Sequence, residues 1–347
     1  MSKKDKTIFE TILTAFKLYF SNFSKFINYM TFPVLGSLTG FALIFSLLYV
    51  YSKNIPSLIQ KFEILNNYNV LFFFTILVTL PGLVIFLKAC WEYLIAYGAV
   101  NSMYDNMRKS GKVYDFNAHT ELIKRRIFSF IGLWTLVGLF WMVGFFPLFW
   151  VPAAVLGIFF ILIFQIFTFE PNLSPINCFR KSLYLIKGHF AQTFILLVLI
   201  TFFTYFLLPQ LFVCIFEKIG FTNILSSLIS PLLESYPVQE INEIFSAYCK
   251  NCINIKTLSN IFAITIISYA VIQYTLPLRS ILWCVWYDNL NKNYTESNKK
   301  TNKTSKKNIS KKTNIKPSEK LMIESNKKFS SKKIDNNILK RAMEKDD

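Results

Sequence analysis

The chain has 347 residues, of which 53% are hydrophobic and 37 are phenylalanine, and its net charge is +18. A soluble domain of this length usually holds about 45–50% apolar residues, so the composition excludes an ordinary water-soluble domain. The charge is also uneven: residues 291–347 carry 17 Lys/Arg against 7 Asp/Glu, outside the greasy body.

In chain order, residues 1–28 predict a cytoplasmic amphipathic helix. Thr7-x-x-Glu10 has the form of a capping box, and Ile8, Ile12, Phe16 and Phe20 fall on one side with Phe9 and Leu13 beside them. The first long apolar run begins near Tyr29 and reads as an uncleaved anchor. Six spans are expected within a transmembrane domain over 29–286, at 29–51, 70–97, 127–147, 148–169, 190–216 and 258–286. The fold class is therefore all-α, a polytopic six-helix membrane bundle with interfacial helices. Gly36-x-x-x-Gly40 in the first span predicts close helix contact within the bundle.

The 43 residues from Ile127 to Phe169 hold no charged side chain. A bilayer core of about 30 Å takes roughly 20 helical residues to cross, so this block reads as two crossings joined by a tight turn. Lys124, Arg125 and Arg126 before it, and Glu170, Arg180 and Lys181 after it, must then share one face. Even without the tail, Lys/Arg on that face outnumber those on the other by 14 to 5. The positive-inside rule places both termini in the cytoplasm, and the setting reads as a bacterial inner membrane.

Ser174 to Gly188 predicts a second interfacial helix, with Ser174 as N-cap, Pro175 in the first turn and Gly188 as stop. Its apolar stripe is Ile176, Phe179, Leu183 and Ile186, with Arg180, Lys181 and Lys187 elsewhere. Helices of this kind lie among headgroups and favour anionic lipid. Ser21-Asn22 and Gly188-His189 each precede a Phe leading into a span. That pattern suggests an internal repeat, against the plainer view that helices beside a membrane look alike.

The run Glu170-Pro171-Asn172-Leu173-Ser174-Pro175, Arg180-Lys181-Ser182-Leu183 and Lys187-Gly188-His189-Phe190 resembles the signature of a broad group of bacterial six-span membrane proteins. That group includes the membrane domain fused to some glycerophosphodiester phosphodiesterases. The resemblance implies the six-span layout over about 7–290. It does not imply phosphodiesterase activity, which belongs to a separate soluble barrel domain.

Three charges fall inside predicted spans: Lys88, Glu92 and Arg279. Ionisable residues there mark a functional site by default. The competing structural view is that Lys88 and Arg279 snorkel and that Glu92 pairs with one of them. The specific expectation is Glu92 and Arg279 within salt-bridge reach.

Cys90, Cys214 and Cys284 in spans, and Cys178 on the second interfacial helix, read as filler. Cys249-Lys-Asn-Cys252 falls in the external segment 217–257, where a disulfide, unpaired thiols, a redox pair or half a metal site are open readings. In that segment Ile224, Leu225, Leu228, Ile229, Leu232 and Leu233 form a helical stripe ended by Pro237, followed by a second helix over about 239–249. This part is expected to cap the bundle or lie on the outer leaflet, with a re-entrant helix as the other option. His119 and His189, the only histidines, lie in different loops, and neither is accompanied by a convincing nucleophile. No HExxH, GxSxG, Walker loop or GxGxxG is present, so a non-enzyme without metal or cofactor is expected. Residues 287–347 predict a basic disordered tail, suited to anionic lipid or a protein partner more than to nucleic acid. Two functions fit: a protein of envelope or lipid homeostasis or membrane scaffolding, or a transporter or channel for a small or lipid-like solute.

Overall fold

Helix α1 (Ile8–Ser21) opens on the predicted capping box. In the computed structural model, which describes residues 7–113, 115–144, 146, 149–234 and 254–292, the Glu10 backbone N–H donates to Thr7 Oγ1 and the Thr7 N–H donates to the Glu10 carboxylate. Asn22 breaks the chain between α1 and α2 (Phe23–Lys61). Its amide donates to the carbonyls of Leu18 and Gly111, and its oxygen accepts from the Val113 N–H, so a buried side chain pins the loop after α3 (Tyr68–Ser110) to this corner.

Helices α2 and α3 form an antiparallel hairpin joined through a 3-10 turn at Glu63–Asn66. Gly36 faces Ala89, Gly40 faces Phe86 and Gly82 faces Ile44. The Gly36–Gly40 pair thus serves packing inside the bundle, as expected, with Gly82 as its counterpart. The outer surface of α3 exposes large apolar side chains from Phe72 to Trp91, about 28 Å of helix, which matches a hydrocarbon core of about 30 Å.

Next come α4 (Phe116–Lys124), α5 (Ile127–Gly144), α6 (Trp150–Phe159) and α7 (Ile163–Phe169). The uncharged block is a helical hairpin, but its second arm is broken at Phe160–Leu162, where a continuous crossing over 148–169 was predicted. Helix α8 (Pro175–Ile186) leads to α9 (Phe190–Thr201), a π-helical stretch Phe202–Leu207, α10 (Leu208–Lys218) and α11 (Phe221–Leu233). Helix α12 (Ile255–Tyr274) yields at Thr275 to α13 (276–292). Pro277 lacks the N–H that would continue the ladder. The helix outruns the predicted span end at 286, with Leu290 still buried.

Among the described residues, five helical segments are long and apolar enough to cross a membrane, and Ile127–Met142 and Phe221–Leu233 are shorter apolar helices. Among the described residues no strand occurs. The protein is an all-α, multi-pass membrane bundle.

Helices α1 and α8, the two predicted to be interfacial, align at an offset of 167 positions. Thr7 and Ser174 are the N-caps, although only Thr7 makes a side-chain capping bond. Thr11, Ala15 and Tyr19 are the buried face of α1, and Cys178, Ser182 and Ile186 belong to that of α8. Asn22 and His189 end the two turns, and Phe26 and Thr193 are the first buried residues beyond them. The predicted α8 stripe splits: Ile176 and Leu183 are exposed, Phe179 is half-buried and Ile186 is buried. Cys178 and Ser182 face the bundle together with Leu185 and Ile186.

Candidate functional site

The three charges inside the spans do not converge. Lys88 is exposed on α3, and its Nζ lies 5.4 Å from the Phe32 ring centroid. Phe32 is one helical turn before Gly36, which meets Ala89, so the Lys88 stem runs toward the end of the bundle where α1 lies. This is the snorkelling geometry expected of a lysine in lipid. Arg279 is held differently. Its Nη2 donates to the Tyr93 hydroxyl at 3.2 Å and to the Ile272 carbonyl at 3.1 Å. The guanidinium carbon lies 4.6 Å from the Tyr205 ring centroid, a stacking worth more where water is scarce. Tyr205 comes from the π-helical stretch, whose wider turn sets that ring over Arg279. No ion pair joins Glu92 to Arg279 among the described residues. The expected salt bridge is replaced by phenol, ring and carbonyl partners, and Arg279 Nη1 is buried without a hydrogen-bond partner.

One turn further along, a polar knot is shut inside the bundle. Asn101 Oδ1 accepts from Gln165 Nε2 at 3.2 Å, Ser280 Oγ at 2.6 Å and Cys284 Sγ at 3.2 Å. All four residues are fully buried. The knot joins α3, α7 and α13. Sequence reasoning missed it because none of the four residues is charged.

The motif that carries the family resemblance builds a joint. Ser182 Oγ donates to the Phe159 carbonyl and accepts from the Leu162 N–H, bridging the break between α6 and α7. Glu170 accepts from Lys181 Nζ and from the Tyr287 hydroxyl, tying α8 to α13. Trp286 Nε1 donates to Thr193 Oγ1 at 3.0 Å. Burial pushes the Cys178 thiol up to about 11, so it stays protonated and acts as filler.

His119 has partners after all. Asn106 Nδ2 donates to His119 Nε2 at 3.0 Å, which assigns the ring hydrogen to Nδ1, 2.8 Å from Ser102 Oγ. Both ring nitrogens are therefore used to dock α4 on α3. Burial lowers the imidazole pKa, and Asp115 opposes the shift. A His buried neutral stabilises the fold fully above its unfolded pKa near 6.5. That contribution falls as pH drops below it, because the unfolded chain then binds the proton more readily. The melting temperature should therefore fall between pH 7 and pH 5, with a shallower slope for H119Q. Equal slopes for the two proteins would remove His119 as the cause.

At the opposite end of α2, an apolar groove of about 640 Å³ runs between α2, α11 and α12. Phe41, Phe45, Ile229 and Phe262 are among its walls, and among the described residues Thr39 and Tyr49 supply hydroxyls. Tyr49 also lines a polar cavity of about 450 Å³ with Ser52, Lys53 and Glu234. Helix α11 packs along α12, with Ser226 and Ser259 hydroxyls 2.8 Å apart. The predicted stripe of α11 thus splits: Leu225, Ile229, Leu232 and Leu233 line the groove, while Ile224 and Leu228 are exposed.

Cys249 and Cys252, Pro237, the predicted helix over 239–249 and the basic tail beyond 292 lie outside the described residues. No cluster of three His, Cys, Asp or Glu side chains suited to a metal occurs among the described residues. Comparison with family models, with curated proteins and with solved structures found no match in any of the three.

Proposed function

We propose that this is a non-enzymatic protein of the bacterial inner membrane, with six crossings and both termini cytoplasmic, that organises lipid of the cytoplasmic leaflet in envelope or lipid homeostasis. One observation carries the proposal: α1 and α8 each bury one face against the bundle and turn a mixed apolar and basic face outward. On α1 that face is Phe9, Leu13, Lys17 and Phe20, with Phe9 72% exposed. On α8 it is Ile176, Arg180, Leu183, Tyr184 and Lys187, with Ile176 59% exposed. Large apolar side chains beside cations suit the boundary between acyl chains and anionic headgroups. The excess of Lys/Arg on this face supports the orientation. The resemblance of 170–190 to the six-span family points the same way. The proposal that it is not an enzyme rests on the sequence motifs alone.

The second reading, a transporter for a small or lipid-like solute, draws on Arg279. An intramembrane guanidinium with one unpartnered nitrogen, Nη1, is the kind of group that meets an anionic solute.

The test is purification of the full chain in native lipid, with mass spectrometry of co-purifying lipids and proteins. Anionic lipid enriched over the bulk membrane is the expected result, with the enrichment reduced in a K17S/R180S/K187S variant. Recovery of neither a selected lipid nor a partner protein would overturn the proposal. Saturable uptake of a solute into proteoliposomes, abolished by R279Q, would favour the second reading instead.

A further inference from the structure

We propose that the groove between α2, α11 and α12, together with the polar cavity at its mouth, is a single binding site for a zwitterionic aminophospholipid. One acyl chain occupies the groove, the phosphate meets Lys53 and the amine meets Glu234. This site lies at the other end of α2 from the α1 and α8 faces and is independent of their role.

The two spaces adjoin at Tyr49, which lines both. The groove follows α2 from Leu38 to Tyr49, about 16 Å of helix. Half of a bilayer core of about 30 Å is about 15 Å, the depth one acyl chain occupies. Its volume falls within the range of about 300–1,000 Å³ typical of ligand pockets. The outward apolar side chains of α2 end at Val50, and Lys53 follows one turn later, at the level where headgroups begin.

The charges at the mouth select the ligand class. Lys53 and Glu234 are both exposed and line one cavity, yet no ion pair joins them among the described residues. A purely anionic headgroup on Lys53 would be repelled by Glu234. A headgroup without charge would use neither. An amine and a phosphate in one headgroup pair with both. Glu234 follows the last turn of α11, whose end carbonyls carry partial negative charge and add to the attraction for an ammonium. Lys53 Nζ stands 5.9 Å from the Tyr49 ring centroid, and Ser52 Oγ, which donates to the Tyr49 carbonyl, remains free to accept from an amine.

The experiment uses the full chain, delipidated in detergent and read by native mass spectrometry against three probes with identical acyl chains: phosphatidylethanolamine, phosphatidylglycerol and diacylglycerol. Phosphatidylethanolamine should be retained at least about tenfold better than the other two, the effect of one charge-assisted contact of about 1.4 kcal/mol. E234Q should bring phosphatidylglycerol level with phosphatidylethanolamine, and K53Q should weaken both. Because both side chains are exposed, neither variant should change the melting temperature. I229W should lower retention of all three by filling the groove. Equal retention of the three probes by the unaltered protein, or no response to K53Q and E234Q, would overturn the proposal. The K17S/R180S/K187S variant should leave this preference intact, so failure here and failure of the leaflet proposal are separable.

Discussion

Replacing Gly40 with leucine should separate α2 from α3 and abolish the folded bundle. A Cβ at Gly40 would lie 2.5 Å from the Phe86 backbone nitrogen and 2.8 Å from its Cα. Across the same crossing, a Cβ at Gly82 would lie 2.8 Å from the Ile44 backbone nitrogen and 3.0 Å from the Gly40 carbonyl oxygen. These obstacles are main chain, so no rotamer change relieves them and the helix axes themselves must move apart. Overpacking that side chains can absorb costs about 1–3 kcal/mol; a clash with backbone on a 39-residue helix exceeds that range. Without a hydrophobic drive between helices in lipid, close packing is a main source of association, so little remains to hold a widened crossing. G40L should fail to give a single peak on size-exclusion chromatography in detergent, and G40A should give a lowered melting temperature. Gly132, where an added Cβ meets nothing within 4 Å, is the control: G132A should match or exceed the native melting temperature, since alanine is favoured over glycine in a helix by about 1 kcal/mol. A G40A protein as stable as G132A would show that the crossing has slack.

That crossing marks how far the sequence could be read. Gly36 and Gly40 are visible as a pair because one helix presents both on one side, but Gly82 and Phe86 lie some 40 positions away and nothing local names them. Thr7 and Glu10 were fully legible, since a capping box closes within one turn. The long apolar runs were legible because a bilayer demands them, whereas the break at Phe160–Leu162 was not. It depends on Ser182, which supplies the two hydrogen bonds the helix forgoes there. The repeat was visible only through its turns, Ser21-Asn22 and Gly188-His189. Its buried positions hold Thr11, Ala15 and Tyr19 in one copy and Cys178, Ser182 and Ile186 in the other, and such pairs share a place on the helix more than a chemistry. Arg279 was legible as a charge, but its partners were not. Sequence reasoning sought a carboxylate, while the Tyr93 hydroxyl, the Tyr205 ring and the Ile272 carbonyl are its partners. The groove escaped notice because its walls are ordinary leucine, isoleucine and phenylalanine from three distant helices.

Asn101→Leu should cost more stability than removing the whole polar knot. The substitution keeps side-chain size but deletes the oxygen that accepts from Gln165, Ser280 and Cys284. Ser280 and Gln165 then lose the acceptor they share inside the bundle, and a buried donor left stranded costs about 1–3 kcal/mol. Hydrogen bonds between membrane helices average only about 0.6 kcal/mol when measured as pairwise couplings, because the unfolded chain in the membrane also finds partners. The two magnitudes describe different experiments, and the knot separates them. In N101L the penalty of orphaned donors applies; in N101L/Q165L/S280A it does not, and three apolar side chains pack where a partly satisfied network stood. That network is already strained in its bookkeeping, since Asn101 Nδ2 and Gln165 Oε1 lack hydrogen-bond partners among the described residues. The triple variant should therefore recover most of the loss, read as the midpoint of unfolding in mixed detergent and SDS micelles. If the triple variant is as unstable as N101L, the damage lies in packing rather than in stranded polar groups. If N101L itself is neutral, α3, α7 and α13 are held by their apolar contacts, and the buried amides are free for a role other than stability.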